Sequence, residues 1–354
     1  MWEGDGCAAK PSPKPSPKGR GNRLKMKGKR IHGLDPSAPA DKMIQLALRT
    51  QLKAMCKLRE KALDPNDTDG VHDMRVLSRR LRSHVSDFKP YLRQPGLSVV
   101  KLRALAKSLG AVRDQDVALG ALKASKSGAT GDAFEGIEML ESERRTSREE
   151  ALAALDKALK PAAVDEVCEE FLARLRDTAT VRPKKSTRQG EGDSVLIFGP
   201  VASEVIAERL KEFRSAAAET IYRPAATKDL HELRILSKRL RYAIELFAPC
   251  WGKELKDIAK EVALMQTSLG ELHDCDVWIE DLGQRLRRTA RKRKDDPDTA
   301  RERAAAVWLL RHFTKERTEH YRDALARWEE WESQDFLDNL RSLIIDIYDQ
   351  ETEC

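Results

Sequence analysis

Long apolar runs are missing from this chain of 354 residues: nowhere do 18 apolar residues follow one another, which excludes a membrane-spanning helix. Aromatic residues make up only 5%, too few for the stacking platforms that read single-stranded bases. A C-x-x-C pair is also lacking. The six cysteines, Cys7, Cys56, Cys168, Cys250, Cys275 and Cys354, are scattered, and no apolar signal-peptide core precedes the first helix, so free thiols in the cytoplasm are expected. There is no Gly-rich phosphate loop, no H-x-x-x-H pair and no legible Ser-His-Asp or Cys-His arrangement. Catalytic residues, metal ligands and a cofactor are therefore not expected.

What is present is charge. Charged residues account for 35% and hydrophobic residues for 40%, with long stretches free of Pro and Gly, a composition that favours amphipathic helices laced with ion pairs. The fold class expected is all-α. The net charge of +7 conceals segregation. Residues 1–34 carry nine Lys/Arg against two acids and so supply the whole excess; residues 71–107 hold nine Lys/Arg against Asp73 and Asp87; residues 132–170 hold twelve acids against five bases. Such patches create local fields that a net charge does not reveal, and a folded anion site is compatible with a neutral remainder.

Residues 1–38 read as an extended basic tail rich in Pro, Ser and Lys, too poor in apolar residues to fold alone. A first helical repeat is expected over 39–179, with helices near 39–63, 71–91, 97–109, 114–124, 132–159 and 162–178. An exposed linker at 180–198 separates it from a second repeat over 199–354, with helices near 200–221, 229–248 (ended by Pro249), 253–269, 275–290, 298–331 and 334–349. The repeat is explicit in the residues. V-H-D-M-R-V-L-S-R-R-L-R from Val71 matches L-H-E-L-R-I-L-S-K-R-L-R from Leu230 at an offset of 159, and L-G-A-V-R-D-Q-D-V from Leu109 matches L-G-E-L-H-D-C-D-V from Leu269 at an offset of 160. Two motifs in the same order and nearly the same spacing point to duplicated architecture.

At about 100° per residue, His72, Arg75, Arg79 and Arg82 share one helix face, with Met74, Leu77, Leu81, Val85 and Phe88 opposite. The second copy sets His231, Arg234, Lys238 and Arg241 against Leu233, Leu236, Leu240, Ile244 and Phe247; Arg80 and Arg239 lie on the flank. Like charges at i,i+3 and i,i+4 repel by a few tenths of a kcal/mol per pair, so acids from other helices or a bound anion must compensate. Guanidinium forks match phosphoryl groups, and imidazole adds a donor.

The two His-bearing helices, each followed by L-G-x-x-x-D-x-D-V, resemble the CHAD family, the conserved histidine α-helical domain, over roughly Ala40 to Tyr348. The resemblance implies two four-helix bundles related by a pseudo-twofold axis, enclosing a basic pore that binds long-chain inorganic polyphosphate without hydrolysing it, and an association with polyphosphate granules. By position it implies a cavity lined by His72, Arg75, Arg79, Arg80 and Arg82 from the first half and His231, Arg234, Lys238, Arg239, Arg241 and the adjoining Tyr242 from the second. Lys107 and Arg113 would extend it; their counterparts are Thr267 and His273, a departure between the halves.

Other readings are weighed against this one. The dipeptides His72-Asp73 and His273-Asp274 suit a metal-dependent polyphosphate hydrolase, but neither is kept in the other copy. Asp114/Asp116 and Asp274/Asp276 are expected to cap helices after Gly110 and Gly270 and to pair with arginines. Trp308, Trp328 and Trp331 are expected in the core. The cluster Arg285, Arg287, Arg288, Arg291, Lys292, Arg293 and Lys294 reads as a solvated helix end. With the basic tail it supports the alternative of a nucleic-acid-binding protein.

Overall fold

The computed structural model describes residues 31–64, 67–92, 97–178, 195–291 and 296–349. The tail before residue 31, most of the expected linker, and Lys292, Arg293 and Lys294 lie outside them. Among the described residues the chain is helical and contains no strand: α1 (Ala40–Cys56), α2 (Arg59–Leu63), α3 (Thr68–Phe88), which runs into a 3-10 turn at Lys89–Tyr91, α4 (Val100–Ser125), α5 (Gly131–Ala158), α6 (Pro161–Thr178), α7 (Phe198–Thr220), α8 (Thr227–Thr289), α9 (Pro297–Ser333) and α10 (Phe336–Asp349). The all-α expectation holds.

Four boundaries differ from those expected. The first helix divides at Lys57 and Leu58. The helices placed either side of Gly110 are one, α4, and those either side of Gly270 belong to the continuous second part of α8. A mid-helix glycine costs only about 1 kcal/mol relative to Ala, less than packing returns. The break in α8 falls not at Pro249 but at Gly252, where φ is +76° and ψ is −140°, a conformation that only glycine adopts without strain. Asp114, Asp116, Asp274 and Asp276 consequently lie inside helices and cap nothing.

α3 packs against α1, α2 and α4 and meets α8; α8 packs on α7 and α9; α5 lies between α4 and α9. Each of two apolar clusters draws on both halves of the chain. The larger centres on Phe88 of α3, Phe198 of α7 and Phe247 of α8, with ring centroids 5.5–6.4 Å apart. The smaller joins Leu122, Ile137 and Leu140 to Trp278, Leu309 and Phe313. Trp328 and Trp331 are buried as expected, and Trp308 is half-buried. The two halves are also stitched at their starts: Ala40 N–H donates to the Leu196 carbonyl (2.8 Å) and Phe198 N–H to that of Ala38 (3.0 Å).

Two expectations about single residues are corrected. Cys56 of α1 and Cys168 of α6 are joined in a disulfide, whereas Cys250 and Cys275 are free; partners 112 positions apart meet only because α1 packs on α6. Arg285 is not solvated: it is buried, and its guanidinium donates to both carboxylate oxygens of Glu143 (2.9 and 2.7 Å) and to Asp281 (3.1 Å). Arg287, Arg288 and Arg291 are exposed as expected.

Candidate functional site

α3 begins one turn before His72, where the Asp67 carboxylate accepts the N–H groups of Asp69 (3.0 Å) and Gly70 (2.9 Å). From there the helical period decides what each side chain meets. Met74, Leu81, Val85 and Phe88 enter the core, while His72, Arg75, Arg79, Arg80 and Arg82 sit at its margin, half-buried. α8 repeats the division: Leu233, Leu240, Ile244 and Phe247 are buried, and His231, Arg234, Lys238 and Arg241 are half-buried.

The two margins face one another. Burial pushes the Arg75 guanidinium down from its ordinary range, and the charges of Arg79, Arg113 and, across the seam, Arg234 push it further against the opposing pull of Asp114. Burial likewise lowers Arg234, with Asp274 opposing and Arg79 of α3 adding to the effect. Lys238 is held down to about 7, first by burial and then by Arg234, Arg79, Arg75 and Arg241. Cations from two helices 159 positions apart in sequence thus occupy one electrostatic neighbourhood. Among the described residues neither Arg79 nor Lys238 has an ion-pair partner, and the buried Nε groups of Arg79 and Arg234 have no hydrogen-bond acceptor.

The duplicated L-G-x-x-x-D-x-D-V segments supply counter-charge to Arg75 and Arg234 by the same contacts twice. Asp114 accepts from Arg75 at 3.3 Å, and Asp274 lies 4.0 Å from Arg234. Two residues on, Asp116 binds Arg148 of α5 and Asp276 binds Arg317 of α9, each at 2.6 Å. The first acid of each pair therefore faces the cationic helix, and the second ties down the next helix. Gly110 and Gly270 lie under the guanidinium groups of Arg75 and Arg234: a methyl built on them would sit 3.5 and 3.7 Å from Nε.

Not every candidate joins this neighbourhood. Arg113 does, through its effect on Arg75, whereas Lys107 is exposed on α4. Arg80 bonds Glu245 at 2.6 Å, and Arg241 reaches the same carboxylate at 3.4 Å. Between them Tyr242 is only 2% exposed, its ring 5.3 Å from each guanidinium carbon, so it lies beneath the two arginines. Arg239 is exposed and acts on Asp87, which pairs with Arg209 of α7 at 2.9 Å.

Three participants were not foreseen. His273 places Nδ1 3.1 Å from Nδ1 of His231, so the residue that breaks the match with Arg113 becomes the partner of the repeated histidine. Arg103 of α4 adds its charge beside Arg82. His84, fully enclosed and pushed down to about 3 by burial, lies 2.8 Å from Gln51 Oε1 and 3.1 Å from the Tyr242 carbonyl. A neutral ring satisfies both if Nε2–H donates to the carbonyl and Gln51 turns its amide NH2 toward Nδ1. It thereby holds α1, α3 and α8 together beneath the cationic seam. His84 lies just past the repeated segment from Val71 to Arg82.

Comparison with known proteins adds the family. Among curated proteins nothing matches the chain. Among solved structures, the CHAD domain from the plant Ricinus communis has a TM-score of 0.62 at 19% identity, covering 84% of this chain and 95% of that one. PptA from Streptomyces chartreusis has a TM-score of 0.60 at 15% identity, covering 82% and 100%. At such identities these structures establish the fold alone. The family model of the CHAD domain, however, matches residues 46–283, a span that contains both histidine helices and both L-G-x-x-x-D-x-D-V segments. The chain belongs to the CHAD domain family.

Proposed function

We propose that this protein binds long-chain inorganic polyphosphate along the seam between α3 and α8 and leaves it unhydrolysed. The observation that carries the reading is the opposition of Arg75 and Arg79 to Arg234 and Lys238, with the buried Nε groups of Arg79 and Arg234 lacking an acceptor. A buried donor left unmet costs about 1–3 kcal/mol. A polymer with anionic oxygens on every phosphorus meets such donors at several points along the two helices at once, where a single phosphate reaches only those around one point. His72, Arg82, Arg113, His231 and Arg241 extend the same surface. Binding without hydrolysis is supported by the state of the carboxylates: Asp114 and Asp274 are turned to arginines, not gathered to hold the metal that a hydrolase uses to activate water. The chain would follow its ligand to polyphosphate deposits, and no helix among the described residues is long and apolar enough to cross a membrane.

The test is a titration of long polyphosphate into the Arg75→Glu/Arg234→Glu double variant. Two charge-assisted contacts at about 1.5–3 kcal/mol each predict a loss of about a hundredfold or more in a folded protein. Undiminished affinity rejects the site. Two further arms separate the alternatives: displacement of polyphosphate by duplex DNA at equal phosphate concentration favours a nucleic-acid binder, and chain shortening on gels with added divalent metal favours a hydrolase.

A further inference from the structure

We propose that Cys275 of α8 and Glu316 and His320 of α9 form a Zn2+ site that clamps the second part of α8 to α9. One sulfur, one carboxylate oxygen and one imidazole nitrogen lie within 4.8 Å of one another, with Cys275 buried and the other two half-buried. Zn–S and Zn–N/O bonds of ordinary length set tetrahedral donors about 3.5 Å apart, so small rotamer adjustments close the site. Glu316 and His320 are four apart on one helix and so share a face. Thiolate with imidazole selects Zn2+ over the hard cations Mg2+ and Ca2+.

The surroundings suit a cation. Glu271 lies 3.3 Å from Nδ1 of His320, the carboxylate that typically fixes the ring of a metal-bound histidine. His312 likewise engages Glu316 at 3.4 Å. The charges of Glu316, Asp274, Asp276 and Glu271 set a negative field around the buried sulfur, and a divalent ion offsets it. Binding replaces the thiol proton by the metal and releases that proton to solvent. The helices are already held in register beside the donors, because Asp276 and Arg317, each next in sequence to a ligand, pair at 2.6 Å.

The first half of the chain does not repeat these donors. If Arg148 is matched to Arg317 through their common contact, the first half has Gln115, Ser147 and Ala151 where the second has Cys275, Glu316 and His320. Glu316 and His320 also lie beyond the span matched by the family. Sequence spacing gave no hint because the donors come from two helices more than forty residues apart.

The experiment uses the full chain, stripped by chelator and free of polyphosphate, titrated with Co2+ and then Zn2+. The expected result is one equivalent of Co2+ with a thiolate-to-cobalt charge-transfer band, bleached by Zn2+. The band should be lost in Cys275→Ala and His320→Ala and kept in Cys250→Ser, with affinity about tenfold weaker in Glu271→Gln. Circular dichroism of the metal-free variants checks that they fold. Absence of the band from the unmutated chain at saturating Co2+ overturns the proposal whatever the variants do, and so does a band that survives in folded Cys275→Ala or His320→Ala.

Discussion

Lys238 is the residue at which the electrostatics of the seam become measurable. It stands near Arg234 and Arg241 of its own helix and Arg75 and Arg79 of α3, and its amine is held down to about 7 from an ordinary value of 10.5. Between those two values the unfolded chain binds a proton that the folded chain lacks, so this group makes stability rise with pH across that window. A polyanion reverses the effect locally and restores the proton. Polyphosphate binding should therefore take up protons above about pH 7 and weaken as pH climbs further. Calorimetry in buffers of different ionisation heat reads the uptake directly. In Lys238→Arg, which stays charged, the dependence should flatten. An affinity that is level from neutral to alkaline pH in the unmutated protein would contradict this account of the residue. Tyr242 makes the complementary case: lying under Arg80 and Arg241, it should tolerate Phe with polyphosphate affinity intact.

At the scale of elements, the helical period made the two faces of α3 and α8 legible, because what a side chain meets at the edge of a core depends on its angle around the axis. The joins were not legible. Gly110 and Gly270 look like breaks, yet each lies in a continuous stretch of helix, α4 and the second part of α8, with an arginine laid against it. The acids that follow read as caps but act as bolts, Asp116 to α5 and Asp276 to α9. Arg285 was misread for the same reason: its charge run is local, but its partner Glu143 is 142 residues away on α5. Arg285→Ala leaves Glu143 and Asp281 without this partner, and we expect it to lower stability by about 1–3 kcal/mol, seen as a lower denaturant midpoint at unchanged slope. No change in midpoint would show that the contact between α5 and α8 carries no weight. A subtler element is the crossing of α5 and α9, where a methyl on Gly136 would sit 2.2 Å from the Arg301 carbonyl oxygen. Gly136→Ala should cost about 1–3 kcal/mol by overpacking, and a thermal scan that finds no loss would mean the helices move apart freely.

For the molecule as a whole, the decisive feature is that cations distant in sequence share one neighbourhood while the apolar clusters are shared by both halves. The large core around Phe88, Phe198 and Phe247 and the buried His84 brace α3 against α8, so the mutual repulsion of the arginines is borne by packing. Two classes of surface then compete for a polyanion: the half-buried seam, and the exposed arginines Arg287, Arg288 and Arg291 at the far end of α8. A crystal structure of the protein with long polyphosphate distinguishes them directly. The account predicts a run of phosphoryl groups between α3 and α8, within hydrogen-bonding distance of Arg75, Arg79, Arg234 and Lys238; phosphate density confined to the exposed arginines, with the seam empty, would contradict it.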